Sequence, residues 1–416
     1  MVVVLAFALT LLVAVLISAR AKVTAISIPV LFVLTGFAIG PGMMNFIDLE
    51  PETPGIILFV ELALFSVLLV DGLHIGLDKV KEVWQLPSRV LIIGLPLTIG
   101  VTAVLGHFIL NLSWVQALLI AAILSPTDPV FASAIVNRQE VPASLRRLLN
   151  LESGLNDGLA LPIVLTLLAV VGVEAFQLPH WLLEVGWGVG LGVLLPWVIL
   201  RLEGSRIFKS SHIYTPILLI TIGLLLYSIG RMSNANLFLA AFAAGITIAT
   251  LNDQLRQAFK PLGEVVAELL KLAALLVFGA LLSVHFLEDL TWLEVIFAFS
   301  VLLLARPLAV ILALRGTRFR TSEYLAAAWF GPRGFASVVY GLYLFTSGVP
   351  DAGVLFHIIS TVIIISIVAH SSTDVLIVQW FSRQNKQSER EEKVPQEKRP
   401  KSEKTQTPGE KEHKPA

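Results

Sequence analysis

Residues 115–136 read VQALLIAAILSPTDPVFASAIV, an apolar run of membrane-spanning length interrupted at its middle by Ser125-Pro126-Thr127-Asp128-Pro129. Proline removes a backbone donor, clashes with the turn before it and biases the preceding residue away from helix. The run is therefore expected to be a helix that unwinds at membrane depth, with the Asp128 carboxyl in the break. Unwound backbone inside a bilayer is tolerated only where it lines a protein-enclosed cavity. A second run, 321–346, carries Gly331-Pro332-Arg333-Gly334 in the same manner.

The rest of the chain supplies the setting. Of 416 residues 56% are hydrophobic and 14% charged, against about 25% charged in soluble domains. No solvated surface can be built from that composition. Thirty basic residues balance thirty acidic ones, which removes the case for a nucleic-acid binder, and the absence of cysteine excludes disulfides, thiolate zinc sites and Cys nucleophiles. Apolar runs fall at roughly 2–19, 26–41, 56–77, 88–110, 115–136, 147–172, 181–201, 213–231, 236–251, 262–286, 291–314, 321–346 and 353–380. The expectation is an all-α polytopic membrane protein of about thirteen spans, residues 1–382, embedded in a lipid bilayer. The first run lacks a basic flank and a small-residue cleavage site, so it reads as a retained span. Residues 383–416 hold ten Lys/Arg and seven Glu with four prolines, and read as a disordered charged tail.

Lys and Arg accumulate in cytoplasmic loops. With the N-terminus outside, sixteen of them fall in the inner loops, from Arg20 to Arg320, and only Arg231 in the outer ones. That asymmetry predicts an odd number of spans and a cytoplasmic C-terminus. Lys271, Arg306 and Arg333 are left within the spans, with Asp71, Asp128, Glu152 and Asp157 as the corresponding acids. Charges at that depth cost several kcal/mol and are functional candidates by default. Lys271, one turn from Glu268, is expected either to snorkel or to pair with it, and Glu61 and Asp374 to be interfacial. His107, His285, His357 and His370 show no metal-ligand spacing and read as polar fillers.

The two broken runs are the fifth of spans 1–6 and the fifth of spans 8–13, and an odd span between the sets inverts one relative to the other. This pattern predicts inverted repeats, about 1–172 and 213–380, each with one broken helix, and a site at the midplane. At about 1.5 Å per residue, Asp128 lies about 20 Å from the outer face and Asp157 about 15 Å from the inner one, in a core about 30 Å thick. Glu152 and Asn156, and Ser153 and Asp157, are each four apart and form two polar strips on one helix face. Arg306 lies about 22 Å from the outer face, at the level of Glu152, and a buried pair between them is expected.

Thr127-Asp128-Pro129, Glu152-Ser153-Gly154-Leu155-Asn156-Asp157-Gly158, Ala305-Arg306-Pro307-Leu308 and Gly331-Pro332-Arg333-Gly334 together closely resemble the monovalent cation:proton antiporters of the NhaP and NHE type. The resemblance runs, in order, through about residues 1–380. It implies a homodimer in the cell membrane, each protomer with a dimerisation part and a core part that carries two crossed broken helices, the fifth and twelfth spans. It makes Asp157 the aspartate that binds ion and proton, with Asn156 beside it, Asp128 and Thr127 lining the crossover, and Ser153 on the adjoining strip. Na+ would sit at Asp157 and Asp128. Glu152 and Arg306 match a structural ion pair, Arg333 the arginine of the second broken helix, and Asp71 an acidic position that joins the site in some members. Pro332 departs from the larger apolar residue usual there.

The implied activity is exchange of a monovalent cation, Na+ or else Li+ or K+, for H+, with no enzymatic step and no cofactor. A carboxylate away from water favours its protonated form and a bound cation its ionised form, so the two ions compete for Asp157. Asn156 cannot titrate where related electrogenic exchangers carry a second aspartate, which points to electroneutral one-for-one exchange. A transporter of an organic anion on a related inverted-repeat fold is the main rival. A cation channel would need a subunit-lined pore, and an intramembrane aspartyl protease a Gly-x-Gly-Asp motif absent from this chain.

Overall fold

The computed structural model describes residues 1–21, 28–47, 49, 53–74, 88–128, 140–172, 177–205, 214–282, 286, 288–317 and 319–393. Among these there is no strand, and each of the thirteen apolar runs contains helix. We number the helices α1 Val2–Ala21, α2 Ile28–Ile39, α3 Pro54–His74, α4 Val90–Leu110, α5 Trp114–Ile123, α6 Ala143–Gly172 and α7 Leu178–Glu203. They continue as α8 Thr215–Met232, α9 Leu237–Leu251, α10 Asp253–Leu281, α11 Trp292–Ala313, α12 Thr321–Trp329, α13 Phe335–Thr346 and α14 Ala352–Lys393. Six of them, α3, α4, α6, α7, α11 and the apolar part of α14, are long and apolar enough to cross a membrane by length and composition.

Both expected breaks are present. Helix α5 starts on a capping box between Ser113 and Gln116 and stops at Ile123, after which residues 125–128 are non-helical. The twelfth run is two helices, α12 and α13, separated by residues 330–334. Pro129 and the second half of the fifth run lie outside the described residues, as do Lys22, Lys79, Lys81, Arg138, Arg206, Lys209 and Arg318 of the inner-loop cations.

A second matched pair went unread in the sequence. Val90-Leu91-Ile92-Ile93-Gly94-Leu95-Pro96-Leu97 opens α4, and Val301-Leu302-Leu303-Leu304-Ala305-Arg306-Pro307-Leu308 lies in the middle of α11. In both, the five residues Val90–Gly94 and Val301–Ala305 form a π-helical segment, followed by α-helix with proline in its first turn. A proline cannot donate to the turn before it and crowds the carbonyl four residues back, so widening that turn relieves both problems. The fourth and eleventh runs occupy the same place in the two sets of six, which supports the repeat relation drawn from the breaks.

The helices sort into two groups. In one, α3 packs extensively on α9, α9 on α7, and α10 on α2 and α3; in the other, α4 packs on α5 and α11, α5 on α6, and α14 on α13 and α11. Small residues permit the closest approaches, as lipid-embedded helices require. A Cβ on Gly72 of α3 would lie 2.4 Å from the Phe242 carbonyl oxygen, and one on Gly245 of α9 2.3 Å from that of Leu69. The groups meet where α13 touches α3 and α10 and where α6 touches α3 and α9. Large apolar side chains such as Leu182, Leu183 and Trp197 of α7 face outward, as a lipid-exposed surface demands.

Glu61 gains partners that the sequence did not name: it is 7% exposed, and its carboxylate accepts from Arg231 Nη1 at 2.9 Å and from the Tyr227 hydroxyl at 3.1 Å. A buried carboxylate needs such partners, and α8 brings Arg231 to it. One expectation changes. Helix α14 continues to Lys393, so the charged segment expected to be disordered from 383 starts as helix; its first proline is Pro395, and 394–416 lie outside the described residues. The Asp374 side chain also lies outside the description.

Candidate functional site

The site is where the two breaks cross. The Asp128 N–H donates to the Pro332 carbonyl at 3.0 Å, and the Asp128 Oδ2 accepts from the Phe335 N–H at 2.9 Å. One residue of the first break thus satisfies backbone groups on both sides of the second. Its carboxylate stands at the start of α13, where free N–H groups and the helix dipole favour negative charge. A positive charge serves the end of α5, and a histidine the end of α12. Arg333, 1% exposed, donates from Nη1 to the Ser125 carbonyl at 3.0 Å, just beyond the end of α5. His370 of α14 places Nε2 2.9 Å from the Trp329 carbonyl, the last of α12, and Nδ1 2.7 Å from that of Ser366. These helix ends are buried in protein, where unpaired carbonyls would be costly.

The approach is close enough to dictate glycine. A Cβ on Gly334 would lie 2.1 Å from the Asp128 Cβ, and one on Gly331 2.1 Å from the Arg306 Nε. Pro332 between them supplies the carbonyl that Asp128 uses.

Helix α6 brings the two polar strips to this crossing and divides them. Asn156 Nδ2 donates to Thr127 Oγ1 at 2.8 Å, and Ser153 Oγ lies 3.3 Å from the same oxygen, a bond in which either hydroxyl can be the donor. One member of each strip therefore converges on Thr127. Glu152 turns the other way and takes a bidentate pair from Arg306, Nη1 to Oε1 at 2.6 Å and Nη2 to Oε2 at 3.0 Å, both side chains buried. Such fork-to-fork geometry is the strongest form of the contact. A small cavity beside it is lined by Thr98, Ser125, Glu152, Asn156 and Arg306 with apolar residues of α4.

Asp157 is left over. Its backbone carbonyl accepts from the Tyr340 hydroxyl of α13 at 2.9 Å, but its carboxylate Oδ1 is buried without a hydrogen-bond partner among the described residues. Asn156 Oδ1 is in the same condition. Asp71 of α3 faces the same region across the boundary between the helix groups, and its charge acts on Asp157, Asp128 and Lys271. Among the described residues no three His, Asp or Glu side chains are gathered as a metal-holding group. The site as built offers one uncommitted carboxylate, hydroxyls and amide oxygen.

Lys271 does not pair with Glu268. It forms no ion pair within 4 Å among the described residues, and its Nζ lies 5.6 Å from the centre of the Phe335 ring. Sequence reasoning missed Tyr340 and the carbonyl-binding role of His370, because neither stands in a motif; both act through contacts made only when α13 and α14 fold against the breaks.

A family model described as sodium/hydrogen exchanger, transmembrane, matches residues 7–380. The chain is 26% identical over 360 residues to the K(+)/H(+) antiporter NhaP2 of Shewanella oneidensis, covering 84% of this chain and 62% of that protein. It is 26% identical over 382 residues to the K(+)/H(+) antiporter NhaP of Alkalimonas amylolytica, covering 89% and 64%. The chain thus spans less than two thirds of the length of these relatives. The fold is that of the sodium proton antiporter MjNhaP1 from Methanocaldococcus jannaschii, with a TM-score of 0.74, 20% identity, and 91% and 97% of the two chains covered. The match over most of the chain, together with the crossed broken helices, places this multi-pass membrane protein in the sodium/hydrogen exchanger family of monovalent cation:proton antiporters.

Proposed function

We propose that the protein exchanges a monovalent cation for H+ across the cell membrane by alternating access, one for one and without net charge movement, with the two ions competing for Asp157. The observation that carries this is the Asp157 Oδ1, buried without a hydrogen-bond partner among the described residues and one helical turn from Ser153, which with Asn156 meets Thr127. A carboxylate out of water is stabilised either by a proton or by a cation. Carrying it bare across a dry barrier is costly, so each half-cycle takes one ion or the other. Asn156 adds no second titrating group. Asp128 is committed by Oδ2 to the Phe335 N–H, so its carboxylate already serves the crossing of the two breaks.

Na+ is the reference substrate, with Li+ and K+ as alternatives; the relatives named above as K(+)/H(+) antiporters support including K+. The protein would act as a homodimer, N-terminus outside and C-terminus in the cytoplasm, with no cofactor. The test is a pH-gradient assay in proteoliposomes with Na+, Li+, K+ and Ca2+ added separately. A response to one or more monovalent cations is expected, and no response to any of them overturns the proposal.

A further inference from the structure

Among the described residues, Lys271 is the basic side chain that the other helix group brings to the crossing. It sits on α10, half-buried, in a stretch where Leu272, Ala274, Leu275 and Leu276 are all buried. Glu268, one turn away, is exposed, so the intrahelical pair that would hold a snorkelling lysine is not made. The ammonium lies instead over the face of Phe335, within the range of a cation–π contact. Phe335 is the first residue of α13, and its N–H holds the Asp128 carboxylate at 2.9 Å. The same helix, five residues on, holds the Asp157 carbonyl through Tyr340. The lysine is thus seated against the element that fixes both aspartates.

The charged groups around it are few. Asp71 acts on it from α3, Asp128 from the first break, Asp157 from α6 and Glu268 from its own helix. His74 of α3 is engaged with Glu264 of α10 at 3.4 Å. Helices α2 and α9 carry no titratable residue, and on α8 Tyr227 and Arg231 are held by Glu61. Among the described residues Lys271 is the cation set against this acidic group from α10; of the cations at the crossing itself, Arg306 is taken by Glu152 and Arg333 by the Ser125 carbonyl, and on α13 the Tyr340 hydroxyl is taken by the Asp157 carbonyl.

We propose that Lys271 is a fixed positive charge of the ion site, one that weakens cation binding, keeps the carboxylates ionised and so sets the pH range in which protons compete. It is a positioning residue in this sense: it need not touch the ion, and it acts through the field it adds. The benefit is release, since a site that binds too tightly cannot turn over. This rests on the antiport reading above.

The chain has no cysteine, so Lys271→Cys is the only thiol and the charge can be restored in place. Exchange is measured in proteoliposomes after treatment with aminoethyl methanethiosulfonate, which adds an ammonium, or methyl methanethiosulfonate, which adds none. The neutral adduct and Lys271→Met are expected to lower KM for the cation at alkaline pH about tenfold and to move the acid limb of activity about one unit higher, a tenfold factor in each case. The aminoethyl adduct and Lys271→Arg return both toward the unaltered protein. Charged and neutral forms sharing one KM and one pH profile would overturn the proposal, as would an Arg variant shifted as far as the Met variant. Absence of exchange in the unaltered protein overturns the antiport reading instead.

Discussion

Asp128 and Pro332 lie more than 200 residues apart in sequence, yet the N–H of one donates to the carbonyl of the other at 3.0 Å. Each break supplies what the other lacks: the first contributes a donor and a carboxylate, and the second a carbonyl and an open helix start. Two helices that would each be unstable in lipid become a single hydrogen-bonded unit.

The tightness of that unit is testable at Gly334. A methyl group there would meet the Asp128 Cβ at 2.1 Å, so Gly334→Ala is expected to cost roughly 1–3 kcal/mol by overpacking. Gly190→Ala on α7, where nothing lies within 4 Å, should be neutral or slightly stabilising, since alanine favours helix by about 1 kcal/mol. Thermal unfolding in detergent compares the two. Equal behaviour would show that the crossing is looser than described.

Removing either partner of Glu152–Arg306 leaves a buried charge without its counter-ion. Glu152→Gln or Arg306→Met is expected to destabilise by about 3–5 kcal/mol. The reversed pair, Glu152→Arg with Arg306→Glu, should recover part of the loss relative to either reversal alone. A double-mutant cycle with no coupling would sink the structural assignment of this pair.

The Glu61–Arg231 pair behaves differently. Arg231 is 61% exposed, so breaking its bond to Glu61 by Arg231→Met should cost about 1 kcal/mol or less, and should matter less as salt is raised. Tyr227 still serves the Glu61 carboxylate in that variant. A loss as large as that at Arg306 would contradict this ranking by burial.

Asp157→Asn is expected to abolish exchange in a protein that still folds and extracts normally, because its Oδ1 makes no hydrogen bond that the fold depends on. In the unaltered protein, competition predicts that KM for the cation rises up to about tenfold for each unit fall in pH on the acid limb while the maximal rate holds. Initial rates across a pH series check this. Retained transport in Asp157→Asn would move the ion site elsewhere.

Much of this was legible in the chain itself because its signals are local. Runs of apolar residues give spans, and the paired Pro126 and Pro129 and the glycine-flanked Pro332 mark breaks, whereas the isolated Pro162, Pro196 and Pro261 lie inside continuous helices. The spacing of Glu152, Asn156, Ser153 and Asp157 gives one helical face. The π-helical segments before Pro96 and Pro307 were equally local, but their octapeptide pattern is visible only when two distant segments are compared. The partners of Glu61 could not be read, since its pairing depends on α8 delivering Arg231 and Tyr227 to it.

The sequence by itself determined that this is a membrane-embedded helical protein with two interrupted helices and a handful of costly buried charges. The Glu152–Arg306 pair was expected from depth, but tertiary structure alone decided how the other charges divide. Asp128 goes to a helix start, Arg333 to the end of α5, and Asp157 keeps a carboxylate oxygen with no hydrogen-bond partner among the described residues. The reason is physical: hydropathy and backbone stiffness belong to single segments, whereas a buried carboxylate is committed or free only according to which donors other helices bring within about 3 Å of it.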